Sequence, residues 1–212
     1  MIVNSEKFQQ TINKEVFFEG IGLHTGINCT LKLMPAPSNH GIIFFIKNKN
    51  KVISIPANID YVNSTVRSTN ILKDDICIFT VEHLLSALYA LDIDNLKIEI
   101  SSNELPILDG SSKIYLNAIK KVGLKTQNSK RKEFLVNKII SFKSSKGLEF
   151  YLLPSNSYKF TYYLNYDNID HLKQMYTISL ENDNYEKEIS DAKTFCLLSE
   201  LFSLYNHGLI KG

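Results

Sequence analysis

Apolar side chains fall at alternate positions in many short stretches of this chain and switch to a three-to-four spacing in only a few. That pattern confines it to short strands interrupted by a few helices. Strands are expected near 15–19, 27–34, 42–46 and 51–55, the second ending at the turn-forming Pro35-Ala36-Pro37. NLKIEIS, 95–101, alternates likewise. Helical spacing predicts a helix over 79–91, where Val81, Leu84, Leu85 and Leu88 share one face and Thr80 is placed as a cap. LDGSS at 108–112 supplies a turn and a Ser N-cap for a second helix over roughly 112–122. A third stretch carries Phe195, Leu198, Leu201, Phe202 and Leu204 at near-helical spacing, with Gly208 as the stop.

GLKTQNSKRKE, 123–133, combines few apolar residues with a run of basic ones and reads as a linker. Beyond it the strand pattern restarts in FLVNKIISF, LEFYLLP, YKFTYYLNY and MYTISL. The expected organisation is therefore an N-terminal α+β domain over 1–124 and a second, partial α+β domain over 133–212. No internal sequence repeat is visible.

A chain of 212 residues buries roughly 70% of the surface it exposes unfolded, so neither disulfides nor a metal are needed merely to fold it. The formal charge of +2 gives no ground for a polyanionic partner, and no nucleic acid is expected. Cys29, Cys77 and Cys196 are too few and too scattered for a disulfide scaffold and form no Cys-x-x-Cys pair, which points to a reducing compartment. The N-terminus carries Glu6, Lys7, Lys14 and Glu15 where a signal peptide needs an unbroken apolar region. The longest apolar runs, such as IIFFI at 42–46, fall short of the ~20 residues that span a bilayer. A cytoplasmic protein without a membrane span is expected.

FTVEHLLSAL, 79–88, sets an acid beside a histidine within an otherwise apolar helix. At about 100° per residue, His83 points away from the stripe of Val81, Leu84, Leu85 and Leu88. Its wheel neighbours, Ser86, Ala87 and Ala90, are small and leave room for a ligand. The spacing alone also fits a solvated histidine next to an unrelated acid. GIGLHTG, 20–26, lacks the glycine spacing and the following helix of a dinucleotide fingerprint, and reads as a hairpin connection with His24 exposed at its tip. NELPILDGSS reads as a turn and helix cap for Glu104 and Asp109, and DAKTF places Asp191, Lys193 and Thr194 together.

Taken jointly, GIGLHTG, TVEHLLSALYALDIDNLKIEI, NELPILDGSS, ISDAKTF and GLIKG resemble one family, the UDP-3-O-acyl-N-acetylglucosamine deacetylases of lipid A synthesis. The resemblance implies two tandem βααβ domains, each a sheet layered against helices, with the active site in the crevice between them. It implies zinc-dependent hydrolysis of the N-acetyl group of a nucleotide sugar that bears a fatty acyl chain, by a monomer. His83 then matches a zinc ligand, Glu82 the general base, and Thr194 the hydroxyl that stabilises the oxyanion. Leu23 and His24 match the loop bordering the acyl passage, Ser68 a loop lining the site, and Tyr166 and Phe195 aromatic positions beside sugar and acyl chain. The apolar segment after Phe195 resembles the start of the family's acyl-tunnel insert, and plain core is the alternative reading.

The departures from the family pattern are specific. Lys193 stands where an arginine is usual, and the loop around Asp167 to Asp170 is shortened and lacks its proline. The family's His-x-x-x-Asp pair, its later general-acid histidine and an assisting lysine have no counterpart within residues 1–212, and His171 and His207 do not replace them. By resemblance the chain holds one zinc ligand of three and reads as truncated inside the tunnel insert. It is then expected to bind zinc poorly by itself. A degenerate, metal-free copy serving as a binding module or remnant is the alternative, and a small α+β protein with an incidental histidine leaves the five motifs unexplained.

Overall fold

A computed structural model describes residues 1–49, 51–145, 147–166, 169, 172–180 and 184–212. The shortened loop expected at Asp167 to Asp170 and His171 lie largely outside the described residues. In chain order the strands are β1 (Ile2–Ile12), β2 (Val16–Ile21), β3 (Asn28–Pro35), β4 (Ile42–Asn48), β5 (Lys51–Pro56), β6 (Val62–Ser64), β7 (Asn70–Lys73) and β8 (Ile76–Ile78). Helix α1 (Glu82–Ala90), β9 (Leu96–Ile100), α2 (Lys113–Val122) and β10 (Leu124–Phe134) follow. The remainder is β11 (Ile140–Lys143), β12 (Glu149–Leu152), β13 (Lys159–Leu164), β14 (Gln174–Ser179), α3 (Asn184–Glu188) and α4 (Leu198–Asn206). With 43% strand and 18% helix among the described residues, the fold is α+β.

The chain divides into two compact units, one formed by 1–7 with 130–189 and the other by 8–129 with 190–212. The C-terminal stretch thus groups with the N-terminal half, unlike the sequence-based boundary at 133. The expected linker is strand β10, paired with β1 in a two-stranded ribbon. Its side chains alternate between exposed and half-buried, so a polar strand carries no apolar signal to distinguish it from a loop.

In the larger unit a five-stranded sheet runs β2-β3-β9-β4-β5, antiparallel except where β4 pairs parallel with β9. Alternation makes one face the core: Phe18, Leu31, Leu33, Phe44, Ile55, Leu96 and Ile98 are buried, while Phe17 and Glu19 on β2 face outward. Leu84, Ala87 and Leu88 of α1 and Tyr115, Leu116 and Ile119 of α2 are buried with them. Phe18 meets Tyr115 edge to face at 4.9 Å, and the Tyr115 hydroxyl donates to the Pro106 carbonyl, so the buried phenol is satisfied. Burial raises the Tyr115 pKa strongly. A second sheet, β6-β7-β8, precedes α1.

Two cap expectations need correction. The helix begins after Val81 without a side-chain cap, and the Thr80 hydroxyl bonds elsewhere. Ser112 occupies the N-cap of α2, yet its hydroxyl donates to the Ser190 carbonyl and it is the Ser111 hydroxyl that accepts from the Lys113 N–H.

The smaller unit contains two antiparallel hairpins, β11-β12 and β13-β14. Register pairs Phe142 with Phe150 and Ile140 with Leu152 on one face of the first, and Phe160 with Ile178 and Tyr162 with Tyr176 on one face of the second. Phe142 and Phe150 are 60% and 51% exposed, so the face of the first hairpin is open, whereas on the second Phe160 and Tyr162 are 50% and 68% exposed but Ile178 is buried. We therefore expect the chain to bind an environment-sensitive hydrophobic dye in its folded state. The double substitution Phe142→Ser/Phe150→Ser should lower the fluorescence enhancement, and an unchanged signal would contradict the assignment of the first hairpin's face.

Candidate functional site

Glu82 is the first residue of α1, where unpaired N–H groups favour a carboxylate. Its Oε2 accepts from the Thr69 N–H at 2.9 Å, and the Val81 N–H donates to the Thr69 carbonyl at 3.2 Å. The start of the helix is thereby tied to the segment entering β7. His83 is half-buried, and Ala87, its neighbour one turn along, is fully buried.

Glu104 is the residue that sequence reasoning missed. Its carboxylate is fully buried and accepts three hydrogen bonds: the His24 N–H at 2.9 Å, the Thr25 N–H at 2.7 Å and the Thr80 hydroxyl at 3.0 Å. A turn-and-cap role does not describe it. Segment 103–107 carries it between two others, bridging to Phe79 on one side and to Gly22 through Pro106 on the other. Thr80 adopts a φ of 61°, an unfavourable conformation for a β-branched residue that persists where surrounding contacts fix it. The only sequence signal was a charged residue between apolar-pattern segments, and nothing in composition marks such a residue as buried.

The GIGLHTG stretch is the connection between β2 and β3, closed by the Gly22 N–H to the Ile27 carbonyl at 3.0 Å. His24 is half-buried instead of exposed, and both of its ring nitrogens are buried without a hydrogen-bond partner. His24 borders a cavity of about 330 Å³ that is also lined by Ser68, the cations Arg67 and Lys211, and apolar Phe79 and Leu209. Arg67 pairs with Glu200 of α4, whose carboxyl is held below its ordinary range by that bond and by the Leu197 N–H. GLIKG closes against the same connection: the Gly212 N–H donates to the Leu23 carbonyl at 3.1 Å.

ISDAKTF lies along the LDGSS turn. The Thr194 N–H donates to the Gly110 carbonyl at 2.9 Å, Lys193 pairs with Asp109 at 3.7 Å and Lys113 with Asp191 at 2.6 Å. Burial tends to raise the Asp109 pKa, but the Ser111 hydroxyl and N–H and the charge of Lys193 outweigh it and hold the carboxyl below its ordinary value. Thr194 and Phe195 are exposed. Among the described residues no hydrogen bond joins Thr194 to Glu82 or His83, and none of these three lines the cavity. Half-buried Tyr166 belongs to the smaller unit, whereas Leu23, His24, Ser68, Glu82, His83, Thr194 and Phe195 all belong to the larger one. No group of three or more His, Cys, Asp or Glu side chains among the described residues is arranged to hold a metal. No helix among them is long and apolar enough to cross a membrane.

A family model described as LpxC: UDP-3-O-acyl N-acetylglycosamine deacetylase matches residues 9–212. The chain is 37% identical over 205 residues to a bifunctional enzyme LpxC/FabZ of Chlorobaculum tepidum, a match covering 96% of this chain and 44% of that relative. It is 34% identical over 205 residues to a UDP-3-O-acyl-N-acetylglucosamine deacetylase of Geotalea uraniireducens, covering 97% and 66% of the two chains. A protein of the same name from Teredinibacter turnerae is 36% identical over 207 residues, covering 96% and 68%. The chain thus spans between 44% and 68% of the length of these relatives.

The Asp109 environment sets a pH dependence. Because the folded pKa lies below the ordinary value of 3.8, the carboxylate stabilises the fold above the ordinary aspartate range, and this contribution is lost as pH falls through the folded value. Between about pH 5 and pH 3 the thermal midpoint of the wild type should fall further than that of Asp109→Asn. Equal falls would exclude the Asp109–Ser111–Lys193 contact as the source.

Proposed function

The chain belongs to the UDP-3-O-acyl N-acetylglycosamine deacetylase family, and from that premise we propose that it carries catalytic and substrate-binding residues of a lipid A amidohydrolase. The substrate is UDP-3-O-acyl-N-acetylglucosamine and the bond broken is that of its N-acetyl amide. Zinc dependence belongs to the family. The described residues offer the ion one imidazole, that of His83, and do not by themselves fit a complete zinc site, so the roles below are those of side chains alone.

Glu82 takes a proton from the water whose oxygen attacks the acetyl carbonyl, the carbon–nitrogen bond breaks as a proton is delivered to the departing nitrogen, and acetate leaves a free amine on the sugar. The Thr69 N–H fixes one carboxylate oxygen of Glu82 and so fixes the direction of the other. The Thr194 hydroxyl donates to the oxyanion of the tetrahedral intermediate, a role whose loss typically costs about 10²–10³ in rate. Leu23 and His24 border the acyl passage, Ser68 lines it and Phe195 lies against the substrate, while Tyr166 is carried over as a substrate residue by the resemblance alone.

The observation that supports this reading is the shared cavity: His24 and Ser68, from separate loops, line one space with Phe79 and Leu209. Its apolar walls suit an alkyl chain, and Lys211 suits a ligand that is also anionic. A second reading, a metal-free binding module, draws on the absence of a three-ligand cluster among the described residues.

One set of measurements separates the two. Supplied with Zn²⁺ and UDP-3-O-acyl-N-acetylglucosamine, residues 1–212 alone are expected to bind zinc poorly and release no acetate, whereas a polypeptide that joins them to a complete zinc-ligand set is expected to release it. In that polypeptide Glu82→Gln should lower the rate by about 10²–10⁴ with the substrate Kd nearly unchanged, and His83→Ala should reduce bound zinc. Saturable binding by the same polypeptide without acetate release, equal in wild type and Glu82→Gln, would select the binding module. No binding of the acylated nucleotide sugar above that of the unacylated one would overturn both.

A further inference from the structure

We propose that Glu104 is a positioning residue whose buried carboxylate fixes the His24 loop and the turn leading into Glu82 and His83 as one body. Its functional meaning rests on the deacetylase reading. The geometry on which it stands does not.

The carboxylate has no ion-pair partner among the described residues, and a buried charge of this kind persists only when hydrogen bonds replace its lost hydration. Three donors do so, and they come from two segments far apart in sequence. The His24 and Thr25 N–H groups belong to the β2–β3 connection, and the Thr80 hydroxyl lies two residues before Glu82. Oε1 is shared between His24 and Thr80, so the two segments meet on a single oxygen atom.

The surroundings are shaped to admit this group. A Cβ at Gly22 would stand 2.4 Å from Oε2, closer than any real contact, so the approach of the carboxylate requires glycine there. Thr80 accepts its left-handed backbone while its N–H faces Asn70 Oδ1 at 3.4 Å and its hydroxyl faces Glu104.

An ordinary polar anchor would tolerate glutamine, but this one should not. With the amide nitrogen at the Oε2 position, its hydrogens oppose the Thr25 N–H; at the Oε1 position they oppose the His24 N–H. Neither orientation satisfies both backbone donors, so one bond is lost whichever way the amide turns.

The consequence for the site is positional. His24 borders the cavity while both of its ring nitrogens are buried and unpartnered, so the placement of the ring beside that space depends on how firmly the backbone below it is held. Glu104 supplies that hold, and the same oxygen restrains the residue from which α1 departs.

Amide hydrogen exchange followed by NMR on the 212-residue chain is the test, because it reads the anchor without reference to catalysis. In Glu104→Gln the His24 and Thr25 amides should exchange about tenfold to a hundredfold faster, while the Leu31 and Leu33 amides of β3 keep their protection. Thr80→Ala should accelerate the His24 amide and shift the His24 ring resonances, and Thr80→Ser, which restores the hydroxyl, should return both to wild-type values. Should Glu104→Gln fail to fold, the Thr80→Ala and Thr80→Ser pair decides. Unchanged His24 exchange in Thr80→Ala, or no recovery in Thr80→Ser, would overturn the proposal. Failure of the deacetylase reading would leave all of these rates where they are.

Discussion

A single buried carboxylate, that of Glu104, carries the connections among segments that are remote in sequence. Two of its bonds reach backbone donors in the β2–β3 connection and one reaches the hydroxyl before α1. Hydrogen bonds to a charged acceptor are stronger than neutral ones, and in a buried setting the loss of a donor exposes the full desolvation cost of the charge. The arrangement therefore favours one mutual placement of the loops over any that leaves an oxygen unpaired. Gly22 serves the same end by offering no Cβ where Oε2 must lie.

The motifs that looked separate in the sequence pair off around this anchor. GLIKG bonds to the connection that holds His24, through the Gly212 N–H and the Leu23 carbonyl. ISDAKTF runs along the Asp109–Lys113 turn, tied by Thr194, Lys193 and Asp191. Both contacts keep residues 190–212 with the N-terminal sheet, which explains why a boundary drawn from composition alone assigned them to the other domain.

What was legible in the sequence is what burial writes locally. Strands β2, β3, β4, β5 and β9 and helices α1 and α2 lie close to where alternation and helical spacing put them, since each has a face against the core. Strand β10 was hidden because a ribbon strand with mostly exposed side chains has the composition of a linker. The site was legible only in part. Glu82 and His83 stood out as a pair, but Glu104 looked like a turn residue because its donors lie 80 and 79 positions earlier in the chain, beyond any local pattern. Thr80 was misread for a related reason: a hydroxyl before a helix suggests a cap, and the structure gives that hydroxyl a tertiary partner.

Two acids brace the approach to α1 from different sides. Glu82 reaches back to the Thr69 N–H, Asn70 accepts from the Thr80 N–H, and Glu104 takes the Thr80 hydroxyl. A turn held by side chains from three segments loses less freedom when a ligand arrives than one held by its own backbone. Reactive groups need placement to within about half an ångström, and that precision comes from the groups supporting them. The left-handed φ of Thr80 is the local cost of that bracing, and the two bonds that Thr80 itself makes offset the strain. The pair at 82 and 83 is thus positioned by the polar contacts of the preceding turn as much as by the helix that contains it.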